Sequence, residues 1–146
     1  LSRQKLNVLH DYEDVVVHGA VHGGYVLSPA KAEAKVVLIG TGSEVHLALA
    51  AQKQLAEEGI DASVVSMPSW DVFDAQSEEY KASVLPAGVT KFAVEAGVPY
   101  GWGRYTGNEQ NVLGITTFGA SAPGDVLMEK YGFTVDNLVA KVKAVL

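Results

Sequence analysis

The chain has 146 residues, 48% hydrophobic and 19% charged, which is typical of one domain with a sizeable core and excludes a disordered chain. Its 11 basic and 17 acidic residues give a net charge of −6, which argues against nucleic-acid binding over a broad cationic face. It has no cysteine, so disulfides, zinc–thiolate sites, iron–sulfur clusters and cysteine nucleophiles are excluded.

The amino-terminal stretch carries no visible targeting signal. No apolar run approaches the ~20 residues of a membrane span, and no secretory signal is evident, so we expect a cytoplasmic protein without a membrane partner. The first residue is Leu1 rather than Met, which predicts a piece of a longer protein. Residues 1–24 show no clear helical period, and we interpret them as a connecting segment that leads into a packed domain over residues 25–146.

The packed part opens with a strand, a helix and a second strand. Residues 35–39 (KVVLI) are a short β-branched run, and the continuous apolar character that follows Lys35 is typical of a strand buried on both faces of a parallel sheet. A helix is predicted over residues 43–58, and residues 62–67 form the second strand. Together these elements predict a βαβ unit with a right-handed crossover.

The remaining sequence alternates in the same way and predicts a three-layer α/β/α domain with a mostly parallel sheet. Ser121 and Thr134 are the predicted N-caps of the last two helices, and Phe133 and Leu138 have the spacing of a hydrophobic staple. The further predicted strands are residues 89–95 and 111–118, the further helices are residues 74–84, 122–131 and 135–146, and residues 100–107 have room for one helical turn.

One loop has the position of an anion site, between the first predicted strand and the following helix. Free backbone N–H groups and the positive end of the helix favour an anion there, although the third glycine of a dinucleotide fingerprint is replaced by Val45. The alternative is a tight turn with a well-capped helix, since Thr41 and Glu44 have capping-box spacing. The candidate anion-binding residues are Gly40, Thr41, Gly42 and Ser43.

Other chemically capable side chains have simpler interpretations. His18 and His22 are four residues apart, a metal-binding spacing on a helix, but neighbouring glycines oppose a helix and no third ligand is evident. We interpret His46 as structural and Glu95, at the end of a predicted strand, as a cap for the next turn. Arg3 suits bidentate phosphate contacts, yet an isolated arginine is usually a surface residue.

Seven segments, in order over nearly the whole chain, resemble the C-terminal part of transketolase. The most specific are residues 117–123 (TFGASAP) and 132–137 (GFTVDN), whereas related thiamine enzymes share the strand–Thr-Gly-Ser–helix opening. The other five segments are residues 1–4 (LSRQ), 23–27 (GGYVL), 40–45 (GTGSEV), 64–69 (VVSMPS) and 94–97 (VEAG).

This resemblance implies a mixed sheet of about five strands in one domain of a large homodimer. The whole enzyme would use thiamine diphosphate and a divalent metal (Mg or Ca) to move a two-carbon ketol unit from ketose phosphates to aldose phosphates in the pentose phosphate pathway. Residues 1–24 would be the tail of a preceding pyrimidine-binding domain and a linker. The cofactor, metal and catalytic residues would lie in the preceding domains of the same polypeptide, so this chain alone is expected to be inactive, with a structural and dimer-contact role.

One functional position matches the family residue by residue. The Ser-Arg-Gln segment of such enzymes supplies an arginine that binds the sugar phosphate, and Arg3 stands at that position. Two alternatives stay open. One is a free-standing regulatory or anion-binding α/β module, and the other is the C-terminal domain of a related thiamine enzyme such as dihydroxyacetone synthase or deoxyxylulose phosphate synthase.

Overall fold

The computed structural model describes residues 5–146, and Arg3 lies outside them. The strands are β1 (Tyr25–Ser28), β2 (Val36–Gly40), β3 (Ala62–Ser66), β4 (Thr90–Val94) and β5 (Val112–Leu113). The α-helices are α1 (Glu13–Gly19), α2 (Glu44–Glu57), α3 (Trp70–Asp74), α4 (Glu78–Val84), α5 (Gly103–Thr106), α6 (Gly124–Lys130) and α7 (Val135–Lys143), with 3-10 turns at His10–Tyr12 and Ala20–His22.

The five strands form one mixed sheet, as the family resemblance implies, although β1 was not among the four strands predicted from the sequence pattern. Their order is β1-β3-β2-β4-β5, with every neighbouring pair parallel except β1 and β3. The central strand β2 pairs along its whole length with β3 on one side and β4 on the other, and all five of its residues are buried. The apolar run of residues 36–39 therefore has the predicted cause, because both faces of this strand are covered, whereas Lys35 lies outside the strand and is exposed.

Two apolar clusters flank the sheet and confirm the three-layer arrangement. Alternate residues of β2 enter opposite clusters, since successive side chains of a strand point to opposite faces. Val36 and Leu38 pack with Leu55 of α2 and Val142 of α7. On the other face Val37 and Ile39 pack with the aromatic residues Phe73, Trp102 and Tyr105.

The predicted caps of the last two helices have different outcomes. Thr134 caps α7 through its side chain, which accepts a hydrogen bond from Asn137 N at 3.3 Å. Phe133 and Leu138 are both buried in one cluster, consistent with the predicted staple. The Ser121 cap is wrong, because α6 begins at Gly124 behind Pro123 with no side-chain cap.

Two predicted elements are shorter in the structure than in the sequence pattern. The helix predicted over residues 74–84 begins only at Glu78 as α4, because Ser77 caps it by accepting a hydrogen bond from Tyr80 N, and the separate helix α3 that ends at Asp74 was not predicted. The strand predicted over residues 111–118 shrinks to β5, since Ile115 N turns to donate to Gly97 O at 2.7 Å. This departure from the ladder leaves residues 116–123 as an irregular connection to α6.

Residues 10–22, which precede β1, are helical. The sequence shows no clear helical period there and predicted only a connecting segment. Within α1, Val16 packs against the main core and Gly19 is buried. A seven-residue helix has little stability by itself, so its form depends on this packing against the domain. The described part of the chain contains no helix whose length and hydrophobicity would allow it to cross a bilayer.

Gly19→Ala tests how tightly α1 is bound to the sheet. A Cβ at this position would lie 2.3 Å from Cγ of Tyr25, a buried residue, so we expect the free energy of unfolding to fall by roughly 1–3 kcal/mol. Helix propensity alone predicts the opposite sign, since alanine favours a helix more than glycine does.

The measurement is urea denaturation beside the control Gly119→Ala. A Cβ at Gly119 meets no atom within 4 Å, so the control should stay within about 0.5 kcal/mol of the unchanged chain. Equal stability of the two variants would show that α1 is not packed on Tyr25.

Candidate functional site

The carboxyl ends of the parallel strands form the edge of the sheet where the candidate residues meet. From β2 the chain passes through α2 to β3 on one side, whereas β4 lies on the other side of β2 and continues to β5. Such a reversal of direction opens a crevice between neighbouring strand ends, and α/β folds place ligands there. The loop of residues 40–43 and the side chain of Glu95 both follow strands at this point.

The loop of residues 40–43 is a tight turn that leads directly into α2. Gly42 has a φ of +54°, in the left-handed region that glycine occupies without strain. Thr41 O accepts a hydrogen bond from Glu44 N at 3.2 Å, and α2 begins without a side-chain cap. The predicted capping box between Thr41 and Glu44 is therefore wrong; Ser43 stands at the N-cap and donates its hydroxyl to the Glu44 carboxylate at 2.5 Å.

Two carboxylates lie next to this loop. Glu44 is only 5% exposed, and Glu95 is half-buried at the end of β4. Burial raises the pKa of Glu95 above its usual value, and the charge of Glu44 raises that pKa further, while a hydrogen bond from Trp102 lowers it. The folded chain therefore disfavours the ionised form of Glu95, a property that its interpretation as a turn cap did not include.

These carboxylates change the electrostatics expected of an anion site. The positive end of α2 and the backbone N–H groups favour an anion, but Glu44 occupies the first helical position with its own negative charge. A second anion beside Glu44 and Glu95 would add like-charge repulsion. Anion binding at Gly40, Thr41, Gly42 and Ser43 stays a prediction. The repulsion between a bound anion and these two carboxylates would weaken such binding.

His18, His22 and His46, the three histidines considered in the sequence, do not come together in one site. His18 is exposed on α1, whereas the His22 ring lies 4.7 Å from the Tyr80 ring and its Nδ1 is 3.4 Å from Gln76 Oε1. His46 is half-buried in the first turn of α2. Residues 5–146 contain no group of three His, Asp or Glu side chains placed to hold a metal ion.

An aromatic cluster that the sequence did not predict lies beside Glu95. The rings of Trp70 and Trp102 meet edge to face at 4.9 Å, and both contact Tyr105. Tyr105 donates its hydroxyl to Asp74 at 3.0 Å, and Arg104 forms an ion pair with the same carboxylate at 2.5 Å. Burial raises the pKa of Tyr105, and the bond to Asp74 adds to this shift, so its hydroxyl remains a donor.

The signal for this cluster was the aromatic and glycine-rich composition of residues 100–107, which the sequence left ambiguous. Neither Trp70 nor Asp74 could be assigned to it, because both come from α3, some 30 residues earlier. The cluster holds α5 against α3 and so keeps the Trp102 indole beside Glu95.

Glu95→Gln tests the electrostatic cost at the crevice. Since the folded-state pKa of Glu95 is raised, ionisation above pH 4.5 lowers stability as the pH rises. Removing the charge should therefore raise the free energy of unfolding at pH 7 by up to about 1 kcal/mol, because the half-exposed group is partly screened by water.

The same variant should flatten the fall in stability as the pH rises above 4.5, measured by denaturation at a series of pH values. Glu129→Gln, an exposed carboxylate on α6, is the control and should leave the profile of the unchanged chain intact. A loss of stability at pH 7 in the Glu95 variant would refute a disfavoured charge.

A family model and individual relatives both match this chain to the same family. The family model described as "Transketolase-like TK C-terminal domain" matches residues 23–134. A curated transketolase from Halalkalibacterium halodurans is 52% identical over 147 residues, which cover 100% of this chain but only 22% of the relative. The chain thus spans about a fifth of the length of such relatives.

Solved structures with a similar fold belong to the same family. A transketolase variant from Pichia stipitis superposes with a TM-score of 0.88 at 38% identity, covering 97% of this chain and 20% of that one. A transketolase from Pichia stipitis in complex with sedoheptulose-7-phosphate gives a TM-score of 0.81 at 38% identity, covering 88% of this chain and 18% of that one. Sequence pattern, sheet topology and these matches together show that the chain belongs to the family of transketolase-like C-terminal domains.

Proposed function

We propose that the longer protein to which this domain belongs is a thiamine diphosphate-dependent transketolase. It transfers a two-carbon ketol unit from ketose phosphates to aldose phosphates in the pentose phosphate pathway, as a homodimer in the cytoplasm. The observation that carries the proposal is the identity of 52% to a transketolase over the full chain. A related transketolase, 38% identical in this domain, is described in complex with sedoheptulose-7-phosphate, which supports sugar phosphates as substrates.

The described residues do not fit the coenzyme or its metal. A diphosphate with a divalent cation needs a cluster of hard oxygen ligands around the cation and donors around the phosphates. Residues 5–146 hold no suitable group of three metal ligands, and the loop of residues 40–43 faces the carboxylates of Glu44 and Glu95. We therefore propose that thiamine diphosphate and Mg or Ca are bound by the preceding domains of the longer protein.

The proposed role of this chain is structural, including contacts within the homodimer. It supplies an independent core on both faces of its own sheet, so the domain is stabilised without the coenzyme. Its match to transketolases over the whole chain favours this family over a free-standing module and over the related thiamine enzymes.

Catalysis by the chain alone is the simplest test of this division. The purified 146-residue chain, supplied with thiamine diphosphate, Mg and pentose phosphates, should give no ketol transfer in a coupled assay, whereas the full-length protein should. Turnover by the isolated chain would overturn the proposal.

The Arg3 side chain is proposed to bind the substrate phosphate in the full-length enzyme. An arginine–phosphate contact is worth roughly 1.5–3 kcal/mol, so Arg3→Ala should raise KM for phosphorylated substrates roughly ten- to hundredfold. KM for unphosphorylated substrates should change little, since they lack the group that the arginine binds.

Steady-state kinetics with both substrate classes make this measurement. Lys5→Ala is the matched control, because Lys5 is a basic residue two positions away in the same segment. Equal increases of KM for both substrate classes, or an equal effect of the two variants, would refute the role of Arg3.

A further inference from the structure

We propose that a cavity between α3, α4, α5 and the start of β4 binds a small phosphate monoester. Its volume of about 390 Å³ lies within the roughly 300–1,000 Å³ typical of ligand sites. We call it the basic cavity, because three cations and two carboxylates line it: Lys81, Lys91, Arg104, Asp74 and Glu78. This site would exist whether or not the longer protein is a transketolase, since it is built from this chain's residues alone.

Lys91 carries a charge that no acidic side chain balances. Its neighbour Ala93 in β4 belongs to the cluster on the aromatic face of the sheet, so the Lys91 side chain points to the same face. Its ammonium donates to two neutral carbonyls, Pro86 O at 2.6 Å and Val89 O at 3.0 Å. None of the ion pairs formed among residues 5–146 includes it. Burial lowers the pKa of Lys91, as expected for a cation removed from water without a counter-charge.

The other two cations of the basic cavity are paired, but unequally. Arg104 forms an ion pair with Asp74 at 2.5 Å, and Lys81 forms one with Glu78 at 2.6 Å. The Glu78 side chain is 92% exposed, whereas that of Lys81 is only 25% exposed, so water screens the carboxylate more than the ammonium. Asp71, a further carboxylate of α3, does not line the cavity. Three positive charges therefore face two negative ones, of which one lies mostly in water.

The lining indicates the chemical class of the ligand. A phosphate monoester carries close to two negative charges at neutral pH and three acceptor oxygens, so one group can reach several cations at once. A bare anion would leave much of the cavity empty. The uncharged wall consists largely of apolar residues, among them Phe73, Ala82 and Leu85, which suit a small organic body beside the phosphate.

The basic cavity avoids the repulsion that opposes an anion at the loop of residues 40–43. Lys91 is the second residue of β4, whereas Glu95 follows the last residue of that strand. Four residues of extended strand span roughly 13 Å, which exceeds the Debye length of ~8–10 Å at physiological salt. Glu44 does not line the basic cavity. Repulsion from these two carboxylates is therefore weaker here than at the loop.

Isothermal titration calorimetry of the 146-residue chain with phenyl phosphate tests the site. This compound joins a phosphate monoester to a small apolar ring, so we expect saturable binding with one ligand per chain. Inorganic phosphate should bind more weakly, and phenol, which has the ring without the charge, should not bind.

Lys91→Met should weaken the binding of phenyl phosphate at least about tenfold, because it removes a charge-assisted hydrogen bond and keeps a side chain of similar length. Lys141→Met is the matched control. It makes the same change at an exposed position of α7, which packs on the opposite face of the sheet, and should leave the affinity within about twofold.

Protection of the Lys91 amine in the unchanged chain is a second measurement, which does not require the Lys91 variant to fold. Each lysine is acetylated by a trace of an N-hydroxysuccinimide ester, and its rate is followed by peptide mass spectrometry. At a phenyl phosphate concentration about ten times the dissociation constant, acetylation of Lys91 should slow at least about threefold. Acetylation of Lys141 should not change.

Absence of saturable binding with phenyl phosphate up to about 10 mM would overturn the proposal. Equal weakening in the Lys91 and Lys141 variants would also overturn it, because binding would then follow net charge rather than this cavity. Benzoate that binds as tightly as phenyl phosphate would refute the assignment to a phosphate ester. Equal acetylation rates of Lys91 with and without saturating phenyl phosphate would place the ligand elsewhere.

Discussion

The pairing of β2 along both of its sides is the constraint on which the rest of the domain depends. With β3 and β4 hydrogen-bonded to it and helices on both faces, this strand has no contact with water. Its backbone groups are satisfied within the sheet, and its side chains divide between the two apolar clusters. The strand therefore fixes where the two helical layers lie and which edge of the sheet receives the loops.

The carboxyl edge gathers three features with different physical origins. A tight glycine turn starts α2, the buried Glu44 lies close enough to the half-buried Glu95 for their charges to interact, and Leu6 and Val8 line an apolar groove with Gly42. In many α/β proteins this edge binds a small ligand. Here the negative charge of Glu44 and Glu95 works against a phosphate.

A single antiparallel strand determines at which edge of the sheet the segment before β1 lies. If β1 ran parallel to β3, the connecting segment would arrive at the opposite edge, away from the loop of residues 40–43. Its actual direction brings the segment of residues 5–24 across the carboxyl edge, where α1 packs through Gly19 against Tyr25. This segment thus contributes to the domain's own core.

The sequence by itself determined the elements whose signals are local. The apolar run of β2, the periodicity of α2 and the Thr134 cap of α7 each depend on neighbouring residues, and each was predicted within a few positions. The family could also be identified from the sequence, because each of the seven segments that resemble transketolase is a short run of consecutive residues. The position of Arg3 could be matched to the family, although it lies outside the described residues.

Only the tertiary structure decided the features that join distant parts of the chain. Helix α1 has no local signal, because its stability comes from contact with β1 rather than from its own residues. Nothing in the sequence pairs Glu44 with Glu95, or Trp102 with Trp70, since each pair is brought together by the strand order. Burial and charge at the carboxyl edge are properties of that packing, so they became visible only when the sheet was assembled.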